Sequence, residues 1–256
     1  MDRPLISVII GHYDKDRDLA RLLRCLARQT YPNVEVIVTV DGDPPKKPFL
    51  WYGKPTLIVE VVERYGAHMR IVWAEYPRQA SDNRRCCGCF NDGVHDHAQG
   101  ELICVLAEDW WLEDAWIEKM ADSLLALGPG NHMCGIMKNR RHQLRGGWPY
   151  EAHIAPLPNP DHVDSGSCSM VFKRDWINFD EDWDEIGAGH YVPFWGHQWA
   201  AAGHGLWYNS TVIMKHRPHP TPVVSTLDAY YTSYELYCKK LGKEMPSREK
   251  ARLGWR

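Results

Sequence analysis

Carboxylate side chains follow three of the most apolar segments of this chain, within a few residues of where each segment ends. These side chains are Asp14, Asp41, Asp43, Glu108 and Asp109. Carboxylates accept hydrogen bonds from ribose hydroxyls and base N–H groups, and they hold divalent cations on diphosphates. If the three segments are neighbouring strands, the pattern indicates a nucleotide site. Any single Asp could instead be an ordinary loop or cap residue.

The elements around these residues follow an α/β pattern. Residues 5–10 and 34–40 are β-branched runs typical of strands buried on both faces, and 16–29 has leucines at helical spacing. This βαβ unit predicts parallel strands, with ligands beyond their carboxyl ends. The other predicted elements are strands at 56–62, 69–73, 102–106, 134–138, 167–172 and 206–214, and helices at 82–97, 113–127, 193–202 and 225–241.

Length and composition restrict the class of protein. The 256 residues suit one large domain or two closely merged halves, and 30 Lys and Arg against 33 Asp and Glu give no support to a DNA-coating role. No signal peptide or membrane span is recognisable, and eight Cys in such a chain indicate reduced thiols. We therefore expect a cytoplasmic protein.

Five separated motifs between about residues 4 and 120 resemble family 2 glycosyltransferases. They are residues 4–14, residues 29–38 with Asp41 and Gly42 behind them, Asn91 to Gly93, the run from Ala98 to Asp109, and the segments 111–113 and 116–118. The resemblance implies a single GT-A (Rossmann-like) α/β domain with a mostly parallel sheet flanked by helices and a C-terminal helical tail. It also implies a nucleotide-sugar-binding half at 1–120, an acceptor-binding half at 121–222 and the tail at 223–256.

The resemblance also implies roles for single residues. Asp14 lies where the family has a loop near the nucleoside, and Asp41 matches the Asp that binds the base, often uracil, so a UDP-sugar is the favoured donor. Asp109 matches the last Asp of the metal-binding Asp-x-Asp motif, and His216 resembles a late His that can complete a Mn²⁺ or Mg²⁺ site. Tyr13, Asn91 and Glu108 complete the predicted donor-binding set.

The chain departs from the family pattern at two places. Ala107 replaces the first Asp of Asp-x-Asp, with Glu108 one position later, which leaves metal dependence open. Tyr191 and Val192 occupy the place of the family's Glu-Asp, which supplies the catalytic base. The nearest groups able to take a proton from an acceptor hydroxyl are Asp184, Glu185 and His190.

We therefore expect a glycosyltransferase, inverting and metal-assisted, that uses a glycan, lipid-linked or small-molecule acceptor. A phage-type enzyme that glycosylates hydroxymethylated DNA bases is one alternative, and the basic run 138–141 would then face the acceptor. A non-catalytic nucleotide- or sugar-binding protein and a nucleotidyltransferase are the others, although 11–14 is not the Gly-rich loop of the latter. A tyrosine stripe, Tyr230, Tyr234 and Tyr237, predicts that the tail helix docks on the body or on a second subunit.

Overall fold

A computed structural model describes residues 3–42, 47–76, 86–137, 154–157, 168–184, 191–216 and 227–244. Its strands are β1 (Ile6–His12), β2 (Val34–Asp41), β3 (Phe49–Trp51), β4 (Lys54–Thr56), β5 (Arg70–Tyr76), β6 (Leu102–Ala107), β7 (Trp110–Leu112), β8 (Asn131–Met137), β9 (Ile154–Pro156), β10 (Cys168–Phe172) and β11 (Gly205–His216). Its helices are α1 (Asp16–Leu26), α2 (Ile58–Gly66), α3 (Cys86–Asp92), α4 (Trp116–Leu127), α5 (Tyr191–Ala201) and α6 (Leu227–Lys240). None of the helices in the described ranges is both long and apolar enough to span a bilayer.

One nine-stranded sheet organises the described residues, in the order β5-β2-β1-β6-β10-β8-β11-β7, with β9 also paired to β11. The pairs among β5, β2, β1 and β6 are all parallel. Strand β10 runs antiparallel to both β6 and β8, while β11 is parallel to β8 and antiparallel to β7 and β9. Six of the nine strands therefore point the same way, which confirms the predicted mostly parallel α/β sheet.

The two faces of the sheet bury different helices. Side chains alternate along each strand, so that Ile6, Val8 and Ile10 of β1 face one core cluster while Ile9 faces the other. Helices α1, α2 and α4 cover the first face, and α3, α5 and α6 cover the second. Each fully buried Leu, Ile or Val contributes about 1.5–3 kcal/mol to folding, so both faces stabilise the sheet.

The predicted strand at 56–62 is wrong. Only Lys54–Thr56 forms a short strand, paired with β3 in a hairpin, and the chain then enters α2. Ile58, Val61 and Val62 are three and four residues apart and share one buried helix face. The Glu60 side chain also accepts a hydrogen bond from the Leu57 backbone N–H at 3.2 Å, which satisfies one free donor of the first turn.

The predicted helix at 82–97 is observed from Cys86 onward and continues through Asp92 into a π-helical turn at Gly93–His97. Gly93 lies against the sheet, and a Cβ atom there would stand 2.7 Å from the Ile9 Cγ2 atom and 3.0 Å from the Thr39 Cγ2 atom. The helix can approach β1 and β2 this closely only because residue 93 lacks a side chain.

The tail helix docks on the body of the same chain, as the tyrosine stripe predicts. Tyr237 is buried and its hydroxyl lies 3.1 Å from the His197 Nε2 atom of α5. The Trp183 indole N–H donates to the Ser233 hydroxyl at 3.2 Å, and Lys240 Nζ lies 2.6 Å from carboxylates of Asp180 and Asp182. Helix α6 therefore closes the second core cluster over residues 180–183.

Candidate functional site

Three parallel strands end side by side at the carboxyl edge of the sheet. In the register, Gly11 of β1 is opposite Ala107 of β6, and His12 is opposite Val40 of β2. The residues that follow, from 13 to 16, at 41 and from 108 to 109, are therefore neighbours although they are far apart in the chain. This edge is where open α/β sheets bind ligands.

Two ion-paired cations hold the carboxylates at this edge. The buried His12 ring hydrogen-bonds Glu108 through Nδ1 and Asp16 through Nε2, the latter at 3.1 Å. The Lys15 ammonium lies 3.0 Å from Asp109 Oδ2 and 4.0 Å from Glu108 Oε1. The Tyr13 backbone N–H donates to Glu108 at 3.3 Å. Glu108 thus ties the loop after β1 to the end of β6.

Burial and hydrogen bonding act in opposite directions on this network. Burial by itself lowers the pKa of His12, but its hydrogen bonds to Asp16 and Glu108 raise that pKa from 6.5 to about 9. Burial raises the pKa of Glu108, and the neighbouring His12 and Lys15 charges oppose that rise. The His12 ring is therefore held in its protonated form between the two carboxylates.

The predicted nucleoside residues lie at the same edge. Asp41 is the last residue of β2, is 7% exposed and pairs in register with Tyr76 of β5. Asp14 is exposed and has a positive φ of 52°, which places the loop after β1 in a conformation uncommon for a non-glycine residue. Tyr13 is half-buried beside it. These three residues thus lie around the ends of β1 and β2.

Asn91 contacts a different part of the molecule. Its side-chain amide donates to the Phe179 carbonyl at 2.9 Å and to Glu181 Oε1 at 3.0 Å, and its oxygen accepts from the Phe179 N–H at 2.9 Å. Within the described part of the chain, all recorded bonds of this side chain therefore join α3 to the 179–181 segment. The structure does not bring Asn91 together with the carboxylates at the strand ends.

Of the three candidate bases, only Asp184 falls within the described residues; Glu185 and His190 lie outside them. Asp184 is buried, and its two oxygens accept hydrogen bonds from the Cys87 and Gly88 backbone N–H groups at 2.6 and 2.8 Å. Burial raises the pKa of this carboxyl from 3.8 to about 6, and the two backbone bonds only partly oppose that rise. Asp184 thus satisfies free donors at the start of α3.

Asp109 and His216 are the two residues predicted to hold a divalent metal, and the pairing of β7 with β11 brings their backbones near each other. Strand β11 pairs with β7 so that His216 is opposite Trp110, the residue after Asp109. No three His, Cys, Asp or Glu side chains in the described ranges form a metal site of protein ligands alone. Mg²⁺ commonly takes one or two carboxylates and completes its shell with substrate phosphates and water. Asp109 is the carboxylate that the prediction assigns to this role, and in the structure it lies 3.0 Å from the Lys15 ammonium.

Sequence reasoning missed His12 and Lys15, the two cations of the site. The signal was present: both flank Tyr13 and Asp14 in the loop after the first strand, and Ala107 removes one of the carboxylates expected nearby. What the sequence does not show is that β1 and β6 are adjacent. That adjacency brings His12 to Glu108 across 96 positions of the chain and Lys15 to Asp109 across 94.

The architecture of this chain is the GT-A fold of glycosyltransferases. The mannosyltransferase PcManGT from Pyrobaculum calidifontis, solved with GDP-Man and Mn²⁺, superposes over 87% of this chain with a TM-score of 0.63 and 16% identity. TarS 1–349 from S. aureus, solved with UDP-GlcNAc, superposes over 96% with a TM-score of 0.65 and 14% identity. Both comparisons confirm the fold that the motifs predict.

Sequence comparison points to the same class. EpsH from Bacillus subtilis (strain 168), which carries a provisional assignment as a glycosyltransferase, is 24% identical over 120 residues, or 47% of this chain. No protein-family profile matches the chain. The chain spans 30% of EpsH, 59% of PcManGT and 69% of the TarS fragment.

Proposed function

We propose that this protein is a glycosyltransferase that moves a sugar from a nucleotide-sugar, with UDP as the favoured nucleotide, to an acceptor hydroxyl. One observation carries the proposal: the GT-A sheet brings Asp14, Asp41, Asp109 and the cations His12 and Lys15 to one edge. Solved neighbours with this fold hold UDP-GlcNAc or GDP-Man with Mn²⁺. Residues 1–120 would bind the donor, 121–222 the acceptor, and 223–256 form the tail.

Each residue at the edge has a proposed task. Asp41 accepts a hydrogen bond from the base, and Tyr13 and Asp14 contact the nucleoside. Asp109 and His216 hold Mn²⁺ or Mg²⁺, which supplies positive charge to the departing nucleoside diphosphate. His12 and Glu108 fix the loop after β1 against β6, so the groups around the diphosphate are positioned before the donor arrives.

The acceptor side supplies the base in this proposal, with inversion at the sugar carbon. The candidates remain Asp184, Glu185 and His190. A pKa of about 6 suits a carboxylate that takes a proton near neutral pH. The bonds from Asp184 to the Cys87 and Gly88 amides would then orient it on α3. Glycans and lipid-linked sugars are the acceptors that we favour.

A thermal-shift panel of nucleoside diphosphates and their sugars, with and without Mn²⁺, tests the proposal. A ligand at 100 times its dissociation constant stabilises the folded state by about 2.7 kcal/mol, so UDP compounds should raise the melting temperature measurably. Asp109→Ala should lower transfer, or donor hydrolysis without acceptor, by about 100-fold or more while the fold stays intact.

The matched control is Asp122→Ala, which removes a carboxylate that is 54% exposed and pairs with Arg3. It should behave like the natural chain. Full activity in Asp109→Ala, or stabilisation by no nucleotide at all, would contradict the proposed site.

A non-catalytic binding protein on the same scaffold is the second candidate. It is favoured by Ala107 and by the Lys15 ammonium 3.0 Å from Asp109, where the family has a metal. Catalytic turnover of a UDP-sugar distinguishes the glycosyltransferase from the binding protein. UDP-sugar that binds but is neither transferred nor slowly hydrolysed supports the binding protein.

A further inference from the structure

A cleft beside α1 brings together four cations that the proposed donor site does not use. They are Arg21, Arg24 and Arg28, at or just past one face of α1, and Lys215 of β11. The three arginines extend over about 10 Å along the helix axis, from the rise of about 1.5 Å per residue. Among the described residues, Glu113 is the one acidic side chain in the lining.

Much of this positive charge is not balanced locally. Arg21 is 3.2 Å from Asp18 and Arg28 is 3.0 Å from Asp114, whereas Arg24 and Lys215 are exposed and form no ion pair within the described ranges. Glu113 is itself 3.8 Å from Lys119. Because the whole chain has a formal net charge of −3, the basic cleft is a local concentration of charge and not a consequence of composition.

Exposed apolar side chains border the same cleft. Leu50, Tyr52 and Trp111 are 65%, 66% and 43% exposed, and they are three of the four large hydrophobic residues exposed in the described ranges. The Arg24 guanidinium carbon lies 5.6 Å from the centre of the Tyr52 ring, and that of Arg21 lies 5.8 Å from the Trp111 ring. Trp111 and Tyr52 therefore each face a cleft arginine, and Leu50 stands two residues before Tyr52 in the β3–β4 hairpin.

We propose that this surface, formed by the cleft cations with Leu50, Tyr52 and Trp111, docks on a membrane that contains anionic lipids. Basic residues attract the lipid phosphates, Trp and Tyr rings favour the headgroup region, and an exposed Leu buries itself just below it. Vesicle binding does not require the proposed sugar transfer, so the two proposals can fail separately.

The exposed apolar side chains favour a membrane over other anionic partners. A soluble phosphate compound or a nucleic acid backbone would account for the cations, but neither would cover Leu50 at the exposed side of the β3–β4 hairpin. The neighbouring Trp51 packs into the core and holds that hairpin against α1. The hairpin therefore presents Leu50 and Tyr52 outward from a fixed support.

The surface also lies next to the candidate site. Trp111 is two residues past Asp109, and in the register it is opposite Lys215, the neighbour of His216. Docking would therefore hold the carboxyl edge of the sheet close to the headgroups. A lipid-linked acceptor could then reach the donor without leaving the membrane.

Vesicle co-sedimentation of the full chain tests the proposal. We expect binding to phosphatidylcholine vesicles that contain roughly one third phosphatidylglycerol, little binding to phosphatidylcholine alone, and weaker binding as salt increases. Arg24→Ala with Lys215→Ala should weaken binding roughly 30-fold, from about fivefold per cation. Leu50→Ser with Tyr52→Ser should weaken it by about tenfold.

Two matched variants serve as controls. Arg64→Ala with Lys239→Ala removes the same charge from exposed sites outside the cleft, and Leu125→Ser removes the fourth exposed hydrophobic residue. Both should bind like the natural chain, and thermal unfolding should show that all variants are folded. Stabilisation by UDP, measured on the same samples, reports separately on the donor site.

Three results would overturn the proposal: equal binding to neutral and anionic vesicles, no binding to either, or binding that the two surface variants leave unchanged. Competition by glycerol 3-phosphate or duplex DNA that depends on Arg24 and Lys215, but not on Leu50 and Tyr52, would also overturn it. The cleft would then be a phosphate or nucleic-acid site.

Discussion

Two buried histidines, one in each half of the sheet, are held in opposite charge states. His12 ends β1 and touches two carboxylates, which raise its pKa to about 9. His132 in β8 has ring centres of Trp195 and Trp199 at 4.8 and 5.1 Å, and burial lowers its pKa to about 3. Both rings are almost fully buried, so the neighbouring side chains determine the direction in which each pKa is shifted. A charged network is retained at the strand ends, whereas aromatic rings of α5 enclose His132.

The largest expected effect comes from breaking the charged network. His12→Leu leaves Glu108 buried with one partner fewer, which should lower the free energy of unfolding by roughly 3–5 kcal/mol. Adding Glu108→Leu should restore much of this loss, because two apolar side chains need no ionic partner. Urea unfolding of the single and double variants measures the coupling free energy between His12 and Glu108.

The control for that cycle is the exposed pair of Arg3 and Glu118, each about one third exposed. Arg3→Ala should cost no more than about 1 kcal/mol. If His12→Leu lowers the free energy of unfolding by no more than Arg3→Ala does, the network does not hold the loop after β1.

Because His132 is buried in its neutral form, we expect the stability of the fold to decrease in acid. The folded protein keeps this ring neutral down to about pH 3, whereas the unfolded chain binds a proton near pH 6.5. Stability from this residue is therefore complete above pH 6.5 and is lost as the pH falls, by about 2 kcal/mol near pH 5. His132→Phe should remove this slope. Urea unfolding across this pH range measures it, and an unchanged slope would mean that another group is responsible.

Asp184 extends the comparison to a buried carboxyl whose two oxygens accept hydrogen bonds from the Cys87 and Gly88 backbone N–H groups. Its folded pKa of about 6 is above the usual 3.8, so its contribution to stability is complete below about pH 3.8 and is lost as the pH rises through 6. We expect a loss of about 2 kcal/mol, after allowance for its partial burial. Asp184→Asn should lack this dependence, which unfolding across the same pH range measures.

The same variant separates a structural role from a catalytic one. If Asp184 is the base, Asp184→Asn should lower kcat strongly while stabilisation by UDP stays the same. Unchanged kcat would leave Glu185 and His190 as the candidates.

The smallest expected effect concerns Lys15, which in the proposed site competes with a metal for Asp109. Lys15→Ala should raise the affinity for Mn²⁺ in the absence of nucleotide by about fivefold, the equivalent of about 1 kcal/mol. The signal of free Mn²⁺ in electron paramagnetic resonance measures this. Lys119→Ala, which removes an ammonium 3.8 Å from Glu113, is the control. Equal Mn²⁺ affinity in both variants would show that Lys15 does not occupy the metal position.

Sequence patterns predicted the first half of the fold well because each of its central strands is a short apolar run with acidic residues behind it. They failed at 56–62, where β-branched residues suggest a strand although Ile58, Val61 and Val62 follow a helical period. The prediction gave the β-branched residue types more weight than the three- and four-residue spacing of these apolar side chains.

Sequence patterns predicted the position of a candidate site residue only where a carboxylate follows the end of a strand. Asp14, Asp41 and Asp109 follow from that rule. The partners of Asn91 and Asp184 do not, since their hydrogen bonds join positions 88 to 97 residues apart and depend on how α3 packs under the second half. The ion pairs of His12 and Lys15 depend on strand order in the same way.

The docked position of α6 has a consequence for the order of folding during synthesis. The four parallel strands come from the first 107 residues, so the carboxyl edge that they form can assemble early. The contacts that cover Trp183 and hold Asp180 and Asp182 come from residues 233–240. A nascent chain that has reached only residue 216 therefore has all nine strands of the described sheet, but its second core stays open until α6 leaves the ribosome.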